Sequence, residues 1–195
     1  MVRAAGQIGF QFRERMAGPF APACADPAPG AERGRAAGTQ FVAELRVCID
    51  DLAACIRDPQ HPARLEGTAS FPGLARAQPL QRGALLLYVP DPASGAKLMR
   101  YRFAFRADDG AEYYFDGTKI LHTPGASRRE QSTLYSRVHA GGLDGPVWGA
   151  GVLVFRLRDL PAFLLSMRAV GASRLAGLRT FLGFARRELA TPVAA

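Results

Sequence analysis

The chain has 195 residues, 48% of them apolar, with 25 Lys and Arg against 17 Asp and Glu and a formal net charge of +8. That balance describes one domain with a sizeable core, or one domain with a small appendage, and excludes a disordered chain. Lysine occurs only at Lys97 and Lys119, so the basic excess is almost all arginine, and without a basic stripe interleaved with aromatics no nucleic acid partner is expected.

In chain order, Ile8, Phe10, Phe12, Glu14 and Met16 share one parity while Gln11, Arg13 and Arg15 share the other, the period of a half-buried strand. The Pro-, Ala- and Gly-rich stretch 18–38 reads as a long flexible loop. Phe41, Ala43, Leu45, Val47 and Ile49 alternate with Glu44, Arg46 and Cys48 in a second strand, after which Asp50 or Asp51 caps a short helical turn through Ile56. Strand patterns follow at Arg64–Phe71, at the apolar run Gly83–Val89, and at Met99, Tyr101, Phe103 and Phe105 between arginines. Asp108-Asp109-Gly110 is a hairpin turn. Ala111–Phe115 returns, Asp116-Gly117 marks a bulge or second turn, and Thr118–His122, Thr133–His139 and Trp148–Leu157 complete about eight strands.

The end of the chain changes period. Asp159 caps a helix with Leu160, Phe163, Leu164, Met167 and Val170 at helical spacing and Gly171 as terminator; Ser173 starts another, with Leu175, Leu178, Leu182, Ala185 and Leu189 on one stripe and a frayed tail from Pro192. Strands with turns between them, and no helix between consecutive strands before 159, predict a mainly β fold. The expected form is an antiparallel calycin- or lipocalin-like β-barrel over 1–158, closed or flanked by C-terminal helices over 159–195. Eight strands leave an interior able to hold one small ligand. Phe10, Phe12, Met99, Tyr101, Phe103 and Phe105, with Tyr114, are its expected ligand-binding lining.

Chemistry-bearing residues are sparse. Cys24, Cys48 and Cys55 form no C-x-x-C pair and lie at no metal-ligand spacing, so neither a disulfide framework nor a metal site is expected. His61, His122 and His139 are scattered and fix no catalytic triad. Gly141-Gly142-Leu143-Asp144-Gly145 lacks the Lys-Ser/Thr of a phosphate loop and the G-x-G-x-x-G spacing, so no nucleotide and no cofactor is expected. No apolar run is long enough for a leader or a membrane span, which predicts a reduced, cytoplasmic, soluble protein.

Glu14 stands out because it shares a face with Phe10, Phe12 and Met16, where a carboxylate is costly unless paired. It is either a general acid/base or half of a buried ion pair. Lys119, a retained lysine in an arginine-rich chain, is the candidate partner across the barrel. The segments Phe12-Arg13-Glu14-Arg15-Met16-Ala17-Gly18, Leu65-Glu66-Gly67-Thr68-Ala69, Met99-Arg100-Tyr101 and Asp116-Gly117-Thr118-Lys119 resemble an accessory β-barrel region. That region accompanies cholesterol-oxidase-like glucose–methanol–choline oxidoreductases and some lipid-acting α/β-hydrolases. The resemblance implies a lipid or steroid context, marks Glu14 and Lys119 as signature residues, and implies no flavin.

The expected function is therefore binding of a hydrophobic small molecule, such as a lipid, sterol or polyketide-like compound, beside an oxidoreductase or hydrolase partner. The competing expectation is a cofactor-independent isomerase or cyclase in which Glu14 is catalytic with Tyr101, Tyr114 or Lys119. A third is peripheral membrane contact through the last helix, where Phe181, Leu182, Phe184 and Leu189 accompany Arg174, Arg179, Arg186 and Arg187.

Overall fold

The computed structural model describes residues 8–121, 132–171 and 174–191. One antiparallel sheet contains β1 (Gly9–Pro22), β2 (Gln40–Ile49), β3 (Pro62–Phe71), β4 (Ala75–Pro79), β5 (Gln81–Asp91), β6 (Ala96–Arg106), β7 (Glu112–Leu121), β8 (Thr133–Ala140), β9 (Val147–Phe155) and β10 (Arg168–Val170). Eight of these, β1-β2-β3-β5-β6-β7-β8-β9, pair in that order, and β9 returns to β1 between Met16 and Pro22. The expected antiparallel barrel is thus present and closed, which removes the long unpaired edges an open sheet would expose. β4 pairs with the end of β3, and β10 with the first residues of β1. Among the described residues, four α-helices accompany the strands: α1 (Pro27–Ala37), α2 (Leu52–Arg57), α3 (Leu160–Ser166) and α4 (Arg174–Ala190). As expected, Asp51 caps α2, its side chain accepting from the Ala54 amide at 3.0 Å.

Several local expectations are corrected. The stretch 18–38 is not a flexible loop: β1 continues to Pro22, and α1 follows, with proline in its first turn and left-handed Gly38 (φ 67°) at its end. Gly30 and Gly34, one turn apart, let α1 lie directly on the barrel wall. A Cβ at Gly30 would stand 2.2 Å from the Ala150 carbonyl oxygen, and one at Gly34 2.3 Å from the Phe20 backbone nitrogen. Residues that read as loop punctuation are here the contact surface of a helix. β7 runs unbroken through Asp116-Gly117, in regular register with Tyr101 and Arg102 of β6. Gly117 faces inward, where a Cβ would meet the Phe115 ring at 2.7 Å.

The helix predicted from Asp159 to Val170 ends at Ser166, and Arg168–Val170 becomes β10. β9 and β1 part beyond Phe155 and Met16, so the start of β1 needs another partner, and β10 supplies it opposite Gly9–Gln11. Between the two pairings, the Arg13 amide donates to Ser166 Oγ at 2.8 Å. α4 is also rotated from the expected stripe. Phe181 and Phe184 are buried, whereas Leu175, Leu182 and Leu189 are exposed. The aromatic pair offers more apolar area to the barrel than the leucines do. His122, Ser173 and the tail from Pro192 lie outside the described residues.

The half of the barrel beside α1 is solid. Phe20, Phe41, Phe71, Phe105 and Trp148 meet ring to ring, and Phe103 stacks on Phe115 with centroids 4.5 Å apart and planes at 4°. The other half, near the start of β1, is different.

Candidate functional site

Alternation on three strands points the key side chains into the lumen. On β1 these are Phe10, Phe12 and Glu14; on β6, Met99 and Tyr101; on β7, Lys119, with Met99 directly opposite it in register. β1 and β7 are not neighbours in the sheet, so their side chains meet only across the lumen. There, Lys119 Nζ lies 3.6 Å from Glu14 Oε2, with both side chains less than a tenth exposed. The ammonium also stands over the Tyr101 ring, 5.0 Å from its centroid. Attraction to Glu14 and to the ring face offsets desolvation of the lysine.

β5 contributes what alternation misses. Its register with β6 shifts between Leu86 and Val89, and Tyr88 takes a left-handed backbone conformation (φ 54°). This bulge turns Leu87 and Tyr88, consecutive in sequence, both toward the interior. A non-glycine residue held there stores strain that surrounding packing must offset. In the sequence Tyr88 is concealed, because Gly83–Val89 is a continuous apolar run with no period.

These residues surround a cavity of about 300 Å³, walled by Phe12, Leu87, Tyr88, Met99 and Phe155, with Glu14, Tyr101, Lys119 and Ser132 as its polar side. Its roof is helical. Phe163 and Met167 come from α3 and the residue after it, and Phe181, Leu182 and Ala185 from α4. The roof is fastened at several points. Phe181 stacks on Phe10 at 4.3 Å, Phe163 meets Phe12 edge-on at 5.3 Å, and Phe184 packs against Tyr88 and His61 at 5.5 and 4.8 Å. At the far end of α4, Lys97 Nζ donates to the Glu188 carbonyl at 2.6 Å and its carboxylate at 2.7 Å. Both lysines of the chain thus belong to ion pairs around the cavity. Charge-assisted bonds of this kind are stronger than neutral ones.

Among the described residues, two buried polar atoms at the cavity have no hydrogen-bond partner: Glu14 Oε1 and the Tyr101 hydroxyl. The Glu14 carboxylate stands close enough to the Tyr101 hydroxyl to oppose its ionisation both by charge and by hydrogen bonding, although neither Glu14 Oε1 nor the hydroxyl has a partner of full hydrogen-bond geometry. Burial, reinforced by Glu14, holds the Tyr101 hydroxyl well above the usual tyrosine value. Burial also pushes Tyr88 up to about 12, with Glu188 and Glu14 adding to it.

Of the residues expected to line a site, the structure brings Phe12, Glu14, Met99, Tyr101 and Lys119 together at the cavity. Phe10 is buried beneath the roof against Phe181. Phe103 and Phe105 are fully buried in the packed half and fill it rather than line a cavity. Tyr114 is half-buried on the outer face, since it has the opposite parity to Lys119 on an unbroken strand. Among the described residues, no group of three or more His, Cys, Asp or Glu side chains is arranged to hold a metal ion. No helix among them is long and apolar enough to cross a membrane.

No family model matches the sequence. No solved structure matches it. A curated protein from Coprinellus congregatus, a guanine nucleotide-binding protein subunit alpha, is 29% identical over 124 residues, which cover 61% of this chain and 35% of that protein. The chain therefore matches about a third of that relative's length.

Proposed function

We propose that the protein binds a small, mainly apolar molecule in the roofed half of its barrel. The observation that carries this reading is the contrast within one lumen. One half is filled by stacked aromatics, whereas the other keeps a cavity of about 300 Å³ with an apolar wall and a few convergent polar groups. That volume is at the lower end of ligand pockets, which run from about 300 to 1,000 Å³. It favours a compact or medium-chain compound over a whole phospholipid. A larger lipid or sterol would require α4 to move. The resemblance to barrels that accompany lipid-acting oxidoreductases and hydrolases agrees with an apolar ligand, and an accessory role beside such an enzyme is part of the proposal.

The relative's name speaks of guanine nucleotides, but this sequence has no G-x-x-x-x-G-K-[ST] loop. Nucleotide binding is therefore not part of the proposal. The Glu14 carboxylate distinguishes a carrier from an isomerase or cyclase. If Glu14→Gln still binds the ligand but no longer converts it, the protein is an enzyme. Incubating the protein with a lipid extract and identifying the retained species by native mass spectrometry tests the main reading. The expected result is one small neutral apolar compound per chain; protein recovered empty from every extract would contradict it.

A second reading, association with an anionic membrane surface, has its own observation. Leu175, Leu182 and Leu189 recur at seven-residue spacing on the exposed side of α4, with Arg179 and Arg186 between them, and Leu157 and Leu165 are about three-quarters exposed beside α3. Leu182, in the middle of this stripe, also lines the cavity. Co-sedimentation with phosphatidylserine vesicles that weakens as salt rises is the expected result; equal or absent binding to phosphatidylserine and phosphatidylcholine would remove the reading.

A further inference from the structure

We infer that the molecule held in the cavity carries one neutral hydroxyl, bound between Tyr101 and Glu14, a step that rests on the cavity-binding reading above. The two unpartnered atoms there have complementary needs. Glu14 Oε1, on the carboxylate that pairs with Lys119, accepts, whereas the Tyr101 hydroxyl can donate. Tyr101 stays protonated at any ordinary pH, so its proton is available for donation. An alcohol is the simplest group that answers both atoms at once. It accepts from Tyr101 and donates to Glu14 Oε1.

Other head groups fit less well. A hydrocarbon leaves both atoms buried and unpaired, and a ketone satisfies Tyr101 but leaves Glu14 Oε1 without a donor. Unmet polar groups in an apolar site are penalised. Charged groups meet a different obstacle. Glu14 and Lys119 already balance one another across the lumen. A carboxylate would therefore face Glu14 as a like charge, and an ammonium would add an uncompensated positive charge beside Lys119. The polar side is thus matched to a neutral donor–acceptor, while Phe12, Leu87, Met99 and Phe155 take the apolar body.

A matched eight-carbon series isolates the head group: octane, 2-octanone, 1-octanol, octylamine and octanoate, each titrated against the full-length protein by displacement of N-phenyl-1-naphthylamine. The expected order places 1-octanol first, about tenfold tighter than octane or 2-octanone, as one satisfied charge-assisted hydrogen bond implies. Tyr101→Phe should reduce the alcohol's advantage over octane while leaving octane itself unchanged. It retains the ring beneath Lys119 and so tests the hydroxyl without relying on a Glu14 variant. Equal binding of alcohol, ketone and alkane would overturn the hydroxyl assignment, with water then satisfying both atoms, yet leave the cavity reading intact. Tightest binding by octylamine or octanoate would overturn it as well. Failure of every member of the series, and of the naphthylamine probe, would instead remove the cavity reading itself.

Discussion

Replacing Glu14 by Gln keeps the shape of the side chain and removes its charge, which strands the Lys119 ammonium inside the barrel. Breaking a buried pair from one side costs about 3–5 kcal/mol, whereas replacing both partners by uncharged groups is often close to neutral. Glu14→Gln should therefore destabilise strongly, and Glu14→Gln with Lys119→Met should recover much of the loss; a double-mutant cycle in urea measures the coupling. A coupling near zero would mean that the two side chains act independently. Tyr88 makes a separate prediction in alkaline solution. Its folded value of about 12 stands above the ordinary 10, so the stability it contributes is complete below pH 10 and is lost as pH rises toward 12. Tyr88→Phe should flatten the fall in stability over that window, as read by urea midpoints at pH 9 and 11. Glu14, Phe12 and Tyr101 are legible in the sequence because strict alternation fixes their face. The same rule removes Tyr114, which has the other parity on β7. Tyr88 is not legible, because a bulge changes parity without any residue pattern to announce it.

Helix α1 shows how an element can be hidden by its own composition. PAPGAERGRAA has two glycines and two prolines, which weigh against a helix in isolation, and most helical stability in proteins comes from tertiary packing. Here the glycines permit backbone-to-backbone approach, so the weak local preference is offset by docking on β1 and β9. Gly34→Ala would force its Cβ against the Phe20 backbone, which cannot yield as a side-chain tip would. A loss of about 1–3 kcal/mol is expected, typical of overpacking. Glu32→Ala, on the exposed side of the same helix, should stay within about 0.5 kcal/mol. Thermal unfolding of the two variants decides whether this contact holds the helix. For α4 the 3.6-residue period predicts the helix, but its sequence offers both a leucine stripe and an aromatic pair. Which one turns inward is settled by what the barrel mouth presents, namely Phe10, Tyr88 and His61.

At the scale of the molecule, closure follows from strand count and short turns, and these are visible along the chain. Whether a closed lumen is filled is not, since Phe12 and Phe103 look alike as inward aromatics yet one borders the cavity and the other fills the solid half. The difference arises from the roof and from the distribution of large rings along the axis, both tertiary. β1 links the two halves: beyond Met16 it pairs with β9, and before Glu14 it is covered by α3, α4 and β10. The cavity's occupancy by a small apolar molecule is the claim on which the functional account depends. Ala185 lines the roof from α4 and is partly buried, so Ala185→Phe puts a ring into the space a ligand would take. Fluorescence titration with N-phenyl-1-naphthylamine, comparing the natural protein with Ala185→Phe at matched thermal stability, is the most direct measurement. Saturable binding at one site per chain that is lost in Ala185→Phe is the predicted result, whereas no saturable binding by the natural protein, or identical binding by the filled variant, would contradict it.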